Sequence, residues 1–211
     1  NPISYELTMP DSINYLYKQS GIKPKKSLWK KFVPLFLKLN IDEVDDIEKT
    51  WSNISKRIGY TKEELKSEIY PVSSIYGIAD HFRTLLFSST DGALPSNSGG
   101  GYNLRSIFRR SMDLSNKHGI NFDYKKLLEL QSNYLKPQYP ELKKNLKTVF
   151  KILESEETKY KNNIKNTKKL LNKIVIEKLT TSKMIELYDS KGVSPEQIEE
   201  IAKTQNKKIN I

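Results

Sequence analysis

Cysteine is absent from these 211 residues. That excludes a disulfide scaffold, a zinc site built on thiolates and a thiol nucleophile. Histidine occurs only at His81 and His118, which do not stand at metal-ligand spacing. His81, beside Asp80 in a helical pattern, reads as a structural histidine. No apolar run approaches the ~20 residues that a membrane span needs, and no signal-peptide pattern is present. The expected setting is the cytoplasm, with no membrane partner. The chain starts at Asn1-Pro2 without an initiator Met, so it reads as an internal cut from something longer. There is no G-x-x-x-x-G-K phosphate loop, the run Gly99–Gly101 is too short for a dinucleotide fingerprint, and no Ser/His/Asp order suits a nucleophilic triad. Strand-type alternation and internal repeats are also missing. With so little catalytic chemistry, recognition becomes the leading class of function.

What the chain has in excess is positive charge: 36 Lys and Arg against 25 Asp and Glu, a net of +11. A polyanionic partner, most simply nucleic acid, accounts for such a balance; a lysine-rich solvated surface is the plainer account. The excess is not spread evenly. From Lys136 to Lys183 there are 13 lysines and five acids (Glu141, Glu154, Glu156, Glu157, Glu177). This concentration favours a phosphate-facing surface over simple solvation.

Hydrophobic spacing predicts an all-α protein. A short helix capped by Asp11 is expected to end near Gly21, followed by a linker at Pro24. Trp29, Phe32, Val33, Leu35, Phe36 and Leu39 mark a second helix, kinked or restarted at Pro34. Ile41, Val44, Ile47, Trp51, Ile54 and Ile58 mark a third, ending near Arg57. Both tryptophans read as core residues. The capping box Thr61-x-x-Glu64 starts a short helix that Pro71 is expected to stop. A helix pair then spans Val72 to about Thr90 and Tyr102 to about His118, and a shorter helix runs from about Tyr124 to Leu135. From Glu141 to about Leu179 nothing breaks the pattern. Leu146, Leu153, Tyr160, Thr167 and Ile174 recur at seven, with a second row at Phe150, Glu157, Ile164 and Leu171. This is a long helix with a coiled-coil-like seam. Prolines 137 and 140 place a boundary between two helical subdomains, 1–137 and 138–211.

Within this frame the stretch Ile75–Arg110 stands out. An apolar helix breaks at Asp91-Gly92, an exposed-looking loop Leu94-Pro95-Ser96-Asn97-Ser98 follows, and Gly99-Gly100-Gly101 leads into a helix with Arg105, Arg109 and Arg110. Three glycines in a row mean either that something approaches the backbone closely or that the chain turns through φ > 0. The arrangement presents Asn97 at a rigid tip; an Asn in a loop also commonly just forms a turn.

The ordered series Ala79-Asp80-His81, Arg83-Thr84-Leu85, Asp91-Gly92, Pro95-Ser96-Asn97, Gly99–Gly101, Tyr102 and Arg105…Arg109-Arg110 resembles the tRNA-recognition region of the alanine–tRNA ligase family. The resemblance continues less densely. Glu156-Glu157-x-x-Tyr160-x-x-x-Ile164 is similar to the family's paired acids, aromatic and apolar residue, with Thr167 where glycine is usual. Leu187-Tyr188-Asp189-Ser190-Lys191-Gly192 is similar to its Leu-Tyr-Asp box, with Lys191 where Tyr or His is usual. Ser194-Pro195-x-Gln197 caps a last helix in the manner of archaeal members.

The resemblance implies binding to the acceptor stem of alanine tRNA, beside a catalytic domain or subunit of the ligase. ATP, magnesium and zinc would belong to those other domains, and no cofactor or metal is expected in this chain. In a G·U wobble pair the guanine N2 amino group lacks a Watson–Crick partner and stays available in the wide minor groove of A-form RNA. The family reads such a pair with an Asn and an Asp that match Asn97 and Asp189. Ser96, Gly99, Gly100, Gly101 and Tyr102 would shape the loop or touch RNA. Arg105, Arg109 and Arg110 would meet phosphate, unless some pair with acids such as Asp80 or Asp91. The competing reading is a non-catalytic helical scaffold that binds protein through its seam.

Overall fold

The computed structural model describes residues 3–36, 46–171, 180–191, 193 and 195–204, with the side chains of some helical residues, Asp189 among them, outside the description. Among the described residues, ten α-helices and no strand confirm the all-α class. They are α1 Ser4–Thr8, α2 Pro10–Ser20, α3 Lys26–Phe36, α4 Ile47–Ile58, α5 Lys62–Thr90, α6 Gly99–His118, α7 Tyr124–Leu135, α8 Pro140–Leu171, α9 Thr181–Lys191 and α10 Pro195–Thr204.

Local signals set many of the ends. Gly21 and Gly59 close α2 and α4 in the left-handed conformation. Asp46 caps α4 by accepting from Lys49 N at 2.9 Å, and Asp123 caps α7 by accepting from Lys125 N at 2.8 Å. The Thr61/Glu64 box is reciprocal: Glu64 Oε2 accepts from Thr61 N at 2.9 Å, while Glu64 N donates to Thr61 Oγ1 at 3.2 Å. Asp11 is not a cap; Pro10 occupies the first turn of α2 after Met9. The expected helical residues Leu39, Ile41 and Val44 lie outside the described residues, as do the segment 172–179 and Ser194.

Pro71 does not stop its helix. α5 runs through it for 29 residues. A proline in mid-helix costs ~3 kcal/mol. Against that stands one unbroken buried stripe on both sides of it: Leu65, Ile69, Val72, Ile75, Ile78, Ala79, Phe82, Leu85 and Leu86. Burying even two such side chains offsets the cost at ~1.5–3 kcal/mol each.

The chain packs as two compact units. One comprises Asn1–Phe87 with Leu114–Leu146, the other Ser88–Asp113 with Lys147–Ile211. The sequence reading places a single cut between 137 and 138; contacts divide the chain within α5, α6 and α8 instead. In the first unit α5 is the buried axis. Phe32 stacks on Trp51, with both tryptophans buried as expected, and Gln131 Nε2 of α7 donates to Ala79 O at 2.7 Å. In the second unit α9 and α10 share a small core of Met184, Leu187, Val193, Ile198, Ile201 and Ala202.

The seam of α8 is real but its second row differs from the one expected. Leu146, Leu153, Tyr160 and Thr167 are buried, as the heptad reading requires. Among the described side chains of α8 the other buried positions are Leu142, Val149 and Glu156; the last two stand one residue before Phe150 and Glu157, which are only half-buried. The phase is set by Leu142, Leu146, Val149 and Leu153, the most continuously apolar part of the helix. Carrying that phase forward puts a carboxylate, Glu156, inside.

Candidate nucleic-acid interface

The loop between α5 and α6 is built from its glycines. α5 ends with Ala93 N donating to Ser88 O at 2.9 Å and Gly92 N to Ser89 O at 3.2 Å, with Gly92 at φ +92°. The chain then passes Leu94 and Pro95 and folds back, so that Ser96 N donates to Gly101 O at 2.9 Å. Ser96 Oγ donates to Ser98 O at 2.8 Å, and Tyr102 N reaches Ser98 O at 3.3 Å. The helix starts at Gly99, so the glycine run is its first turn rather than a loop before Tyr102. The two expected uses of glycine fall on different residues. Gly99 takes φ +58°. Gly101 is the close approach: a Cβ there would lie 2.3 Å from Ser96 Oγ and 2.4 Å from Leu94 O. Gly100 has neither requirement, with open space around it.

Asn97 sits exposed on this loop, with Leu94 and Tyr102 exposed nearby in sequence. It is held from behind. Arg105 Nη1 donates to Asn97 Oδ1. The other edge of the same guanidinium faces Glu156, with Nε 2.9 Å from Oε1 and Nη2 3.3 Å from Oε2. One turn on, Arg109 Nε lies 3.5 Å from Glu156 Oε1, an ion pair without hydrogen-bond alignment. A further turn on, Asp113 Oδ1 accepts from Tyr160 OH at 2.6 Å. So Arg105, Arg109 and Asp113, at i, i+4 and i+8 of α6, face Glu156 and Tyr160, at i and i+4 of α8. Glu156 is 1 % exposed, and a buried carboxylate is tolerated only when paired and hydrogen-bonded.

The predicted site residues therefore separate. Asn97 and Arg105 are brought together, and Ser96 packs against Gly101. The acid that takes Arg105 and Arg109 is Glu156; Asp80 instead pairs with Arg83 at 3.0 Å. Arg110 is exposed with no ion pair among the described residues. Asp189 lies in α9, two residues before its end. Glu156 is the residue that sequence reading assigned no role. Its signal was the spacing Leu142, Leu146, Val149, Leu153, which places position 156 on the buried face.

Among the described residues no cluster of three or more His, Asp or Glu is arranged to hold a metal ion, and no helix is long and apolar enough to cross a membrane.

The chain is thus an all-helical module with a polar loop tip backed by a buried acid and with a lysine-rich long helix. The family model for tRNA synthetases class II (A) matches residues 38–211, and the chain belongs to that family. Among its relatives are alanine–tRNA ligases. That of Methanocella arvoryzae is 34 % identical over 201 residues, covering 94 % of this chain and 23 % of the relative. That of Nitrosopumilus maritimus is 36 % identical over 202 residues, covering 95 % and 22 %. That of Caldivirga maquilingensis is 36 % identical over 169 residues, covering 80 % and 19 %. The chain thus spans less than a quarter of the length of these relatives.

Proposed function

We propose that this chain is the tRNA-recognition region of an alanine–tRNA ligase and reads the G·U wobble pair in the acceptor stem of alanine tRNA. It works in the cytoplasm with a catalytic domain of the same enzyme, which supplies the ATP, magnesium and zinc chemistry. The observation that carries the reading is the exposed carboxamide of Asn97, held by Arg105 against a buried acid. A floppy loop asparagine reads nothing; a fixed one presents a defined hydrogen-bond pattern to a base edge. Asp189 is the second reading group, a carboxylate suited to accept from the guanine N2 amino group. Arg110 and the lysines of α8 supply phosphate contacts, which position the RNA without specifying it.

The test is titration of acceptor-stem duplexes that carry G·U or G·C at the recognised pair. Asn97→Ala and Asp189→Asn should each reduce the discrimination by ~1–3 kcal/mol, the scale of one base-edge contact. The double variant should lose little more than the worse single if both groups read one pair. A wild-type chain that binds both stems equally would favour the helical-scaffold reading.

A further inference from the structure

We propose that Glu156 is a positioning residue that fixes the hydrogen-bonding polarity of Asn97. It acts through Arg105, which engages the amide oxygen from behind and leaves the two N–H donors of the side chain turned toward RNA. This rests on the reading of Asn97 as a base-recognising group.

The argument is one of valence. A guanidinium has five donors and no acceptor. The group that Asn97 turns toward Arg105 must therefore be its oxygen, and the amide nitrogen must face the other way. The arrangement is stiff because the guanidinium is planar. Its Nε and Nη2 edge is taken by the two oxygens of Glu156, at 2.9 and 3.3 Å. Once that edge is set, the direction of Nη1 is set as well. Glu156 is in turn held by burial, by Arg109 at 3.5 Å and by Lys159 at 3.9 Å. A carboxylate packed on the seam of a 32-residue helix is a firmer reference point than a surface loop. Arg105 is only 13 % exposed in its side chain and both edges of its fork are engaged, so it serves orientation rather than phosphate binding. An outward-facing amide nitrogen pairs with an acceptor on the base, a carbonyl oxygen or an unprotonated ring nitrogen, and in this proposal the amino group of guanine is left to another residue.

The experiment uses the whole 211-residue chain with two readouts: 15N relaxation of the Asn97 side-chain amide without RNA, and the ratio of affinities for G·U and G·C stems. Glu156→Gln keeps the shape but sets an amide donor against Arg105. Arg105→Lys keeps the charge that Glu156 needs but removes the fork, and it carries the test if the glutamine variant does not fold. Both should make the Asn97 amide mobile and reduce the ratio about tenfold or more. Glu156→Asp should recover part of it. Asn97→Asp keeps the tether to Arg105 but turns an outward donor into an acceptor, and should lose the preference as fully as Asn97→Ala. Glu157→Gln removes the adjacent charge, which pairs with Lys161, and should change neither readout. An Asn97 amide as rigid as wild type, or an undiminished ratio, in folded Glu156→Gln and Arg105→Lys chains would overturn the proposal. So would an Asn97→Asp chain that keeps its preference. A wild-type chain without any G·U preference would instead sink the reading of Asn97, while the relaxation measurement still decides whether Glu156 orders the amide.

Discussion

At residue scale the glycine run shows why a motif and its physics must be separated. Three adjacent glycines are alike in sequence, yet only the fold-back of Leu94–Ser96 makes one of them indispensable. Gly101 has Ser96 Oγ and Leu94 O where a Cβ would go, at 2.3 and 2.4 Å, and one of those atoms is backbone. Nothing cheap can move aside. Gly100 has no neighbour within 4 Å and no positive φ. Gly100→Ala should thus leave stem discrimination intact and raise stability by up to ~1 kcal/mol through the entropy of the unfolded chain. Gly101→Ala should displace the Asn97 loop and lower G·U discrimination at least as far as Asn97→Ala does. Thermal melts and stem titrations of the two variants check this, and equal behaviour would mean that the loop is not seated on Gly101. The sequence showed that glycine was needed here; which glycine depends on contacts between residues that only the fold brings together.

At the scale of elements, capping chemistry was legible because it is local. Tyr124–Leu135 has the predicted ends, and the Thr61/Glu64 box forms both of its bonds. Pro71 and the second row of α8 were misread because each is settled by burial against distant segments, which outweighs propensity. The last turn of α6 shows the same competition in its electrostatics. A cation at a helix C-terminus is normally favoured by the macrodipole. His118 nevertheless has its pKa lowered from 6.5, first by burial and then by the adjacent Lys117. A base whose folded pKa is depressed binds fewer protons in the folded state than in the unfolded one. Its contribution to stability is therefore complete above 6.5 and is lost as the pH falls through the folded value. Melting temperatures of wild type and His118→Gln should accordingly differ in favour of wild type by more at pH 7.5 than at pH 5. A difference that stays constant with pH would show that His118 is hydrated enough to titrate normally.

At the scale of the whole molecule, the charge excess predicted from composition acquires a location. Lys143, Lys144, Lys147, Lys151, Lys165, Lys168 and Lys169 all lie exposed along α8, away from its buried seam. Not all lysines on that helix are equivalent. Lys161 is paired with Glu157 and Lys159 approaches Glu156, whereas Lys165, Lys168 and Lys169 have no ion pair among the described residues. A lysine already neutralised by a neighbouring carboxylate displaces fewer counterions from RNA than an unpaired one. Binding to any acceptor stem should weaken linearly on a log–log plot against salt, since each phosphate contact releases condensed cations. Replacing both Lys165 and Lys169 by Gln should lower the magnitude of that slope by ~1–2, about one per lost contact. Replacing Lys161 should lower it less. In both cases the preference for G·U over G·C should persist, because phosphate contacts carry no base identity. The discriminating measurement is the salt slope for G·U and G·C stems side by side. A slope unchanged in the double variant would mean that this stretch of α8 faces solvent rather than RNA. A slope and a preference that fall together would mean that these lysines help to seat the stem against Asn97.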